Sequence, residues 1–295
     1  MIVVRLMGGL GNQMFQYALG RRLACEQKVP LKLDLSWFEA NKTTAIEMPR
    51  DFALDGWQIE AAIATSEDLA QFQMKRSVET RLRCFFSFIT KKSSKILFER
   101  GFAFDEGVLR ARAPVFLEGY WQSEKYFRSI ETILRNDFSL STPLCVHSIP
   151  LLERIGQCTA VSVHVRRGDY ISNSSTNAYH GACSIEYYRK AAGLIAERVA
   201  SPHFFVFSDE PGWAKKNLTF SWPVTYVEHE ESCSDHQDIW IMSRCSHHII
   251  ANSSFSWWGA WLSSFKKKVV VAPRRWFRKS SIDTSDLIPP EWLRV

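Results

Sequence analysis

Two adjacent arginines that follow an apolar stretch are the first candidates for ligand binding in this 295-residue chain. Residues 159–165 are mostly small or β-branched, which predicts a buried strand, and Arg166 and Arg167 come directly after it. Ligands of open α/β sheets bind at the carboxyl ends of strands, and arginine holds phosphate oxygens through charge-assisted hydrogen bonds. Because side chains alternate along an extended chain, we expect one arginine to face a phosphorylated ligand while the other pairs with an acid. Structural ion pairing of both arginines is the alternative.

A run of small polar residues is the second candidate for phosphate binding. Residues 251–256 are Ala-Asn-Ser-Ser-Phe-Ser, between a predicted strand and a predicted helix. Hydroxyl groups and the N–H groups of a helix N-terminus donate hydrogen bonds to phosphate, and a simple helix cap accounts for only one of these serines. Upstream, the Asp238 carboxylate can accept from the N1–H and the exocyclic amine of guanine. An acid favoured by a helix dipole is the alternative interpretation of Asp238.

A glycine-rich turn follows the first predicted strand, residues 1–6. Glycines at 8, 9 and 11 let the backbone approach a ligand closely, and the helix that follows favours negative charge at its start. A dinucleotide fingerprint would place its third glycine at Met14, so the fingerprint is incomplete, although Asp34 lies near the position of a ribose-binding acid. An NAD(P)-linked oxidoreductase is therefore kept as an alternative.

Metal-binding patterns are absent from the sequence. No Asp-x-Asp pair occurs, so the usual carboxylate bridge for Mg²⁺ or Mn²⁺ on a nucleotide diphosphate is missing. Residues 229–236 have the composition of a metal site but no recognised ligand spacing, and they are interpreted as a polar loop. We predict no metal and no cofactor, so that arginine and backbone dipoles meet the charge of a phosphate.

Strands alternate with helices along most of the chain, which predicts an α/β fold with parallel, doubly wound sheets. The predicted strands are 1–6, 31–35, 115–117, 159–165, 203–207, 224–227, 247–251 and 268–272. The predicted helices are the segment from the glycine turn to residue 24, then 69–74, 78–98, 123–138, 184–200, 237–245 and 254–264. Two prolines and three serines in 139–150 place a boundary between a domain of residues 1–145 and one of residues 151–295.

Composition and charge exclude several classes of protein. A hydrophobic content of 46% excludes disorder. Residues 75–112 hold ten basic and four acidic residues and so carry the whole net charge of +6, which argues against a nucleic-acid partner. Phenylalanines among these cations leave two interpretations open, which are peripheral contact with an anionic membrane and a solvated helical face. Seven scattered cysteines and the lack of a long apolar run or signal peptide predict a cytoplasmic protein with free thiols.

Three motifs together resemble the α-1,2-fucosyltransferases. They are Gly-Gly-Leu-Gly-Asn-Gln-Met-Phe-Gln-Tyr at 8–17, His-Val-Arg-Arg-Gly-Asp-Tyr at 164–170 and Ala-Asn-Ser-Ser-Phe-Ser-Trp-Trp-Gly-Ala-Trp-Leu at 251–262. Residues 119–123 and 207–210 also look like that family. The resemblance spans nearly the whole chain, in order, except for residues 60–112.

The resemblance implies a GT-B-like enzyme in which two Rossmann-like domains face a cleft. Such an enzyme is inverting and metal-independent, and it moves L-fucose from GDP-β-L-fucose to the 2-hydroxyl of a terminal galactoside. The N-terminal domain would bind the acceptor and the C-terminal domain the donor. The residues implied for donor binding are His164, Arg166, Asp238, Asn252, Ser253, Ser254 and Phe255, with Arg166 on the β-phosphate and Asp238 on guanine.

The residue that takes the acceptor proton is not fixed by the resemblance. We expect Asp169 to be the base, with Asp209 and Glu210 behind it, although Asp169 can instead hold an arginine in place. Asn12 matches a residue close to the reaction centre in the protein O-fucosyltransferases and is expected to orient the acceptor. A non-catalytic glycan-binding protein that uses its many tryptophans is the remaining alternative. The preferred galactoside and the oligomeric state have no signal in the sequence.

Overall fold

Two parallel β-sheets surrounded by helices form the fold, as seen in a computed structural model. The structure describes residues 1–41, 50–72, 96–228, 234–279 and 282–295, without the side chains of Asp169 and Ser175. One sheet lies in the N-terminal part of the chain and one in the C-terminal part. The predicted GT-B-like architecture, with two Rossmann-like units that face a cleft, is confirmed.

The first sheet has the strand order β3-β2-β1-β5-β4, and all its pairings are parallel. Its strands are β1 (Ile2–Arg5), β2 (Leu31–Asp34), β3 (Ala62–Ile63), β4 (Ile96–Phe98) and β5 (Val115–Glu118). β1 lies at the centre between β2 and β5, and the side chains of Ile2, Val3 and Val4 are fully buried. A parallel strand covered on both faces is apolar at every position, which explains the uninterrupted run at the start of the sequence.

The second sheet has the order β11-β10-β9-β6-β7-β8 and is also parallel. Its strands are β6 (Thr159–Val165), β7 (Pro202–Ser208), β8 (Val224–Tyr226), β9 (His247–Ile249), β10 (Val270–Ala272) and β11 (Leu293–Arg294). β6 and β7 have seven residues each and pair with each other along their entire length. Residues 139–150, the expected domain boundary, lie between the last strand of the first sheet and the first strand of the second.

The helices connect the strands on both faces of the sheets. The α-helices are α1 (Leu10–Gln27), α2 (Ser36–Asn41), α3 (Ser66–Ala70), α4 (Glu131–Asp137), α5 (Ile149–Gly156), α6 (Gly168–Ser172), α7 (Ser174–Tyr179), α8 (Ile185–Ala196), α9 (Pro211–Asn217), α10 (Asp235–Met242) and α11 (Ser254–Leu262). Short 3-10 helices cover Glu106–Arg110, Glu124–Tyr126, Arg128–Ile130 and Val146–Ser148.

A continuous apolar core joins the two sheets through α1 and α11. Phe15 of α1 packs against Trp257 and Trp258 of α11, with ring centroids 4.5 and 5.0 Å apart. The Trp258 indole N–H donates to the carbonyl of Gly11 at 2.9 Å. A Cβ at Gly11 would lie 2.5 Å from the carbonyl carbon of Ser254, so only glycine allows the two helices to come this close.

Three predicted helices differ from the structure. The helix predicted at 69–74 is replaced by α3, which ends at residue 70, and residues 73–74 lie outside the described residues. Residues 96–98 form an edge strand instead of the end of a helix, because they pair with β5 in parallel register from Ile96 opposite Phe116. Three consecutive apolar residues fit the periodicity of a helix and also that of a strand. Pairing with the neighbouring strand determines which of the two forms. The predicted helix over 123–138 is divided into two 3-10 turns followed by α4. Residues 73–95, which contain most of the predicted 78–98 helix, lie outside the described residues.

The structure tests the expectations about membranes and thiols only for the residues that it describes. None of the described helices has both the length and the apolar character needed to cross a bilayer. Residues 73–95 contain most of the basic stretch, so peripheral membrane contact through residues 75–112 stays a prediction. Five of the seven cysteines lie in the described ranges, and all five are free thiols.

Candidate active site

A cavity of about 480 Å³ lies between the carboxyl ends of the two sheets. Residues that follow β1 and β5 line it from the first sheet, and residues that follow β6 and β9 line it from the second. The three motifs at 8–17, 164–170 and 251–262 therefore meet at one cavity, although they are far apart in sequence. This is where α/β sheets place ligands.

Arg166 and Arg167 leave the end of β6 in different directions. Arg166 lines the cavity, and its guanidinium lies 3.2 Å from Oδ2 of Asp209. The other oxygen of Asp209 accepts the backbone N–H of Arg167 at 3.0 Å, so one carboxylate holds the turn. The Arg167 side chain pairs with Glu210 at 3.2 Å and lies 3.6 Å from the ring centroid of Trp213. One arginine faces the cavity, and the other is held against an acid and an indole.

The N-terminus of α11 opens into the same cavity. Ser253 is its N-cap residue, but the Ser253 side chain makes no capping hydrogen bond, and the first turn contains no acid. Ser253, Ser254 and Phe255 all line the cavity. Because the N-terminal end of a helix carries partial positive charge, this terminus and the Arg166 guanidinium together favour an anionic group.

Two cations fix the opposite end of α11. The ammonium of Lys268 donates to the carbonyls of Ala260 and Ser263, each at 2.8 Å. Arg135 donates to the carbonyl of Trp261 at 2.8 Å and also reaches that of Leu262. Burial lowers the pKa of Lys268 to about 8. Positive charge at a helix C-terminus complements the macrodipole, so these contacts hold the helix that carries the serine loop.

Asn252 holds three chain segments together beneath the cavity. Its buried amide donates to the backbone carbonyls of His180, Gly181 and Trp276 at 2.9–3.2 Å. Its Oδ1 accepts from the thiol of Cys183 at 3.4 Å. Asn252 lines the cavity, and these hydrogen bonds position the loop that carries it, while its donor-binding role stays a prediction.

His164 does not line the cavity, contrary to the expectation from its motif. Its buried imidazole packs against Phe255, with ring centroids 5.3 Å apart and planes 29° apart. Phe255 is the residue of this pair that lines the cavity. The His164 ring therefore supports the Phe255 ring by packing against it.

Buried amides of α1 hold the glycine turn in shape. Gln13 donates to the carbonyls of Gly8 and Asp51 and accepts the N–H of Ala53, all at 2.9–3.0 Å. Gln16 exchanges hydrogen bonds with the backbone of Met7. Both glutamines are fully buried, and the motif that contains them does not by itself reveal this role.

Asn12 lines the cavity directly above the glycine turn. Its Oδ1 accepts from Nε2 of Gln122 at 2.7 Å. Gly8 has φ +75°, and a Cβ there would come within 2.7 Å of Nδ2 of Asn12. The turn needs glycine at this position both for its left-handed backbone and for the space that Asn12 occupies.

Asp238 lies apart from the main cavity. It lines a second cavity of about 340 Å³ together with Thr225, Tyr226 and Glu228 at the end of β8. Burial, helped by the nearby charge of Asp235, raises the Asp238 pKa to about 8. Asp235 lines the main cavity, so the first turn of α10 lies between the two cavities.

The acids proposed for other roles have clear partners. Asp34 is buried and pairs with Arg5 at 2.8 Å, and it accepts from the backbone N–H and the hydroxyl of Ser36. It does not line the cavity, so the oxidoreductase alternative loses its supporting acid. Asp209 and Glu210 pair with Arg166 and Arg167 and are not among the residues that line the cavity, so Asp169 stays the first candidate for the base. The backbone of Asp169 lies in α6, and its side chain is outside the described residues.

An aromatic wall that the motifs did not predict closes one side of the cavity. Phe102 from the first sheet's half meets Phe277 from the second, with ring centroids 4.9 Å apart. Tyr170 stacks on His180 at 4.9 Å and 12°. All four residues line the cavity. Only Tyr170 lies within a quoted motif, so no local sequence pattern could have identified the other three.

Comparison with known proteins gives matches over the full chain. The model of Glycosyl transferase family 11 matches residues 1–295. An Escherichia coli alpha-1,2-colitosyltransferase is 36% identical over 307 aligned residues, which cover 100% of this chain and 98% of that protein. Human galactoside alpha-(1,2)-fucosyltransferase 1 is 28% identical over 155 residues, 50% of this chain and 42% of the human protein.

Among solved structures, fucosyltransferase NodZ from Bradyrhizobium superimposes with a TM-score of 0.46 at 15% identity, over 88% of this chain and 91% of that one. The family match and the colitosyltransferase match each extend over the whole chain, including all three motifs that meet at the cavity. The chain belongs to glycosyl transferase family 11.

Proposed function

We propose that the protein is an inverting, metal-independent glycosyltransferase that moves a fucose-type 6-deoxy-L-sugar from GDP to the 2-hydroxyl of a terminal galactoside, which forms an α-1,2 linkage. The observation that carries the proposal is the convergence of Arg166 and the N-terminus of α11 on one cavity. These groups offer two sources of positive charge to a diphosphate without a metal. Family membership supports sugar transfer as the reaction that uses them.

The reaction requires stabilisation of the departing GDP. As the bond from the anomeric carbon to the β-phosphate oxygen breaks, negative charge accumulates on the diphosphate in an oxocarbenium-like transition state. The Arg166 guanidinium and the N–H groups of α11 would stabilise that charge, because they are held in place before the reaction begins. The carboxylate of Asp209 keeps the guanidinium oriented.

Two donors fit the proposal, GDP-L-fucose and GDP-colitose. Colitose is L-fucose without its 3-hydroxyl, and the colitosyltransferase match favours it as the second candidate. A site that hydrogen-bonds this hydroxyl would reject the deoxy sugar strongly, whereas an apolar site would discriminate weakly. Incubating the purified protein with each donor and a galactoside, and measuring GDP release and product structure, tests the proposal and identifies the donor.

We assign the acceptor proton to Asp169, the acid that follows Gly168 at the start of α6. Asp169→Asn is expected to lower kcat about 100-fold, in the range of general-base contributions, while GDP affinity stays within twofold. The measurement is transfer rate alongside GDP titration. Unchanged transfer would remove Asp169 as the base, and an equal loss of GDP affinity would show that it holds an arginine instead.

We assign Asp238 to the recognition of guanine. The guanine ring would lie in the second cavity and the diphosphate in the main cavity. Guanine offers two N–H donors, which an ionised carboxylate accepts. Because the pKa of the free enzyme's Asp238 is about 8, most of the carboxyl is neutral at pH 6. GDP affinity should therefore rise up to tenfold per pH unit below pH 8 and level off above it.

Isothermal titration between pH 6 and pH 9 measures this dependence on Asp238. Asp238→Asn is the control, since it removes the titrating group but keeps the titration of GDP itself. A wild-type pH profile parallel to that of the variant would contradict the guanine assignment.

A further inference from the structure

The loop at residues 119–122 leads from the end of β5 to the cavity. Tyr120 and Gln122 line the cavity, whereas Trp121 between them is buried in the core. Trp121 has φ +55°, in the left-handed region that non-glycine residues rarely occupy. This turn of the backbone sends one side chain into the core and its two neighbours toward the cleft. An unfavourable backbone angle persists only where the surroundings hold it.

Glu99, which follows β4, holds the loop in this conformation. Its Oε2 accepts the backbone N–H of Tyr120 at 2.6 Å, and its Oε1 accepts that of Trp121 at 2.9 Å. The N–H of Glu99 itself donates to the carbonyl of Glu118 at 2.9 Å. A Cβ at Gly119 would come within 2.3 Å of the Glu99 Cβ, so the loop begins with the residue that allows this approach. Glu99 does not line the cavity.

The far end of the loop reaches Asn12. Gln122 donates to Oδ1 of Asn12 at 2.7 Å, so the orientation of the Asn12 amide depends on where the loop places Gln122. Asn12 lies in the first turn of α1, next to the glycine turn of the first sheet, and lines the same cavity as the second-sheet groups proposed to bind the diphosphate. A chain of contacts therefore runs from the Glu99 carboxylate through the loop to a residue in the cleft.

We propose that Glu99 is a positioning residue for the acceptor: its carboxylate sets the loop so that Tyr120 and Gln122 bind the terminal hexose of a neutral glycan. A tyrosine ring offers an apolar face and a hydroxyl, and a glutamine amide offers a donor and an acceptor, which together suit the C–H face and the hydroxyls of a sugar. Arg166 and the N-terminus of α11 bring positive charge to the second-sheet side of the cavity, where it suits a diphosphate, and Arg50 lines the cavity beside Gly9 on the first-sheet side. This inference rests on the proposed function.

Glu99→Gln tests the proposal while keeping the shape of the side chain. The amide has one acceptor oxygen instead of two, so one of the two backbone N–H groups loses its partner and the loop shifts. We expect kcat/KM for the acceptor to fall about 30-fold, which corresponds to about 2 kcal/mol. The GDP dissociation constant and acceptor-independent hydrolysis of the donor should stay within threefold. Glu118→Gln is the matched control, because Glu118 lies at the end of β5 but its side chain pairs with Arg5 at 2.7 Å. The acceptor kcat/KM of this variant should stay within twofold of wild type.

A double-mutant cycle with Gln122→Ala separates positioning from general weakening of the fold. If Glu99 acts through the loop, the double variant loses about as much acceptor kcat/KM as the worse single variant, whereas independent effects multiply. Independent effects, or an equal loss in GDP affinity, would overturn the proposal. If Glu99→Gln does not fold, Gln122→Ala alone must lower acceptor kcat/KM at unchanged GDP affinity, and an unchanged value overturns it. Wild-type protein that neither binds GDP nor hydrolyses the donor would instead contradict the proposed function.

Discussion

Arg166→Ala is expected to lower the rate of sugar transfer about a thousand-fold, because it removes a fixed positive charge from the departing diphosphate. GDP affinity should also fall, by about tenfold or more, since an arginine–phosphate contact stabilises the bound nucleotide as well. Asp209, now 3.2 Å from the guanidinium, would keep its bond to the N–H of Arg167, so the turn itself is expected to stay folded. Transfer kinetics and GDP titration measure the two effects separately.

Arg167→Ala is the matched control for Arg166. This substitution removes an arginine side chain from the neighbouring position. The Arg167 side chain, however, pairs with Glu210 and stacks on Trp213 outside the cavity. We expect a lower melting temperature and a transfer rate within about fivefold of wild type. A thousand-fold loss of transfer in Arg167→Ala, with only a small loss in Arg166→Ala, would show that Arg167 binds the diphosphate and would contradict its assignment to Arg166.

Gly11→Ala is the second change with a large expected effect. The added Cβ would lie 2.5, 2.6 and 2.7 Å from backbone atoms of Ser254 and Phe255, which cannot move aside as a flexible side chain can. Separating α1 from α11 would lengthen the bond from Trp258 to Gly11 and displace the serine loop. We expect a loss of about 3 kcal/mol in the free energy of unfolding, at the upper end of overpacking costs, and transfer reduced more than 100-fold.

Gly193→Ala in α8 is the control for this substitution. Nothing lies within 4 Å of a Cβ at Gly193, so alanine should stabilise the helix by about 0.5–1 kcal/mol and leave transfer unchanged. Denaturant unfolding and transfer assays of both variants give the comparison. Wild-type stability and activity in Gly11→Ala would contradict the close packing of α1 on α11.

The elements that the sequence predicted best are those buried on both faces. β6 appears as seven residues without an outward-facing charge because parallel sheets cover both faces, and its predicted limits match the structure. β4 has only three residues at a sheet edge, and its partner strand, which local periodicity does not reveal, decides its conformation. The short helices α2, α5, α6, α7 and α9 were not predicted, because one or two turns leave too few residues to define a period.

The site could be predicted where its residues follow the carboxyl ends of strands, which is where α/β sheets bind ligands. It could not be predicted where it depends on contacts between residues distant in sequence. Arg166 and the serine loop lie at such ends, those of β6 and β9. The role of Asn252 depends on the carbonyls of three separate segments, and that of Glu99 on backbone groups 21 and 22 residues away. Asn252 lies in a recognised motif that does not show what its amide binds, and Glu99 has no distinguishing local pattern, so only the folded chain reveals what these side chains hold.

The most direct test of the proposed function is a transfer reaction in the presence of EDTA. Purified protein is given GDP-L-fucose or GDP-colitose with a panel of β-galactosides, and the products are examined by NMR for linkage and anomeric configuration. We predict turnover with at least one donor in chelator, and an α-linked sugar on the 2-hydroxyl of galactose. Turnover that disappears in EDTA and returns with Mn²⁺ would contradict the metal-free stabilisation of the leaving diphosphate by Arg166 and α11, and a β-linked product would contradict inversion.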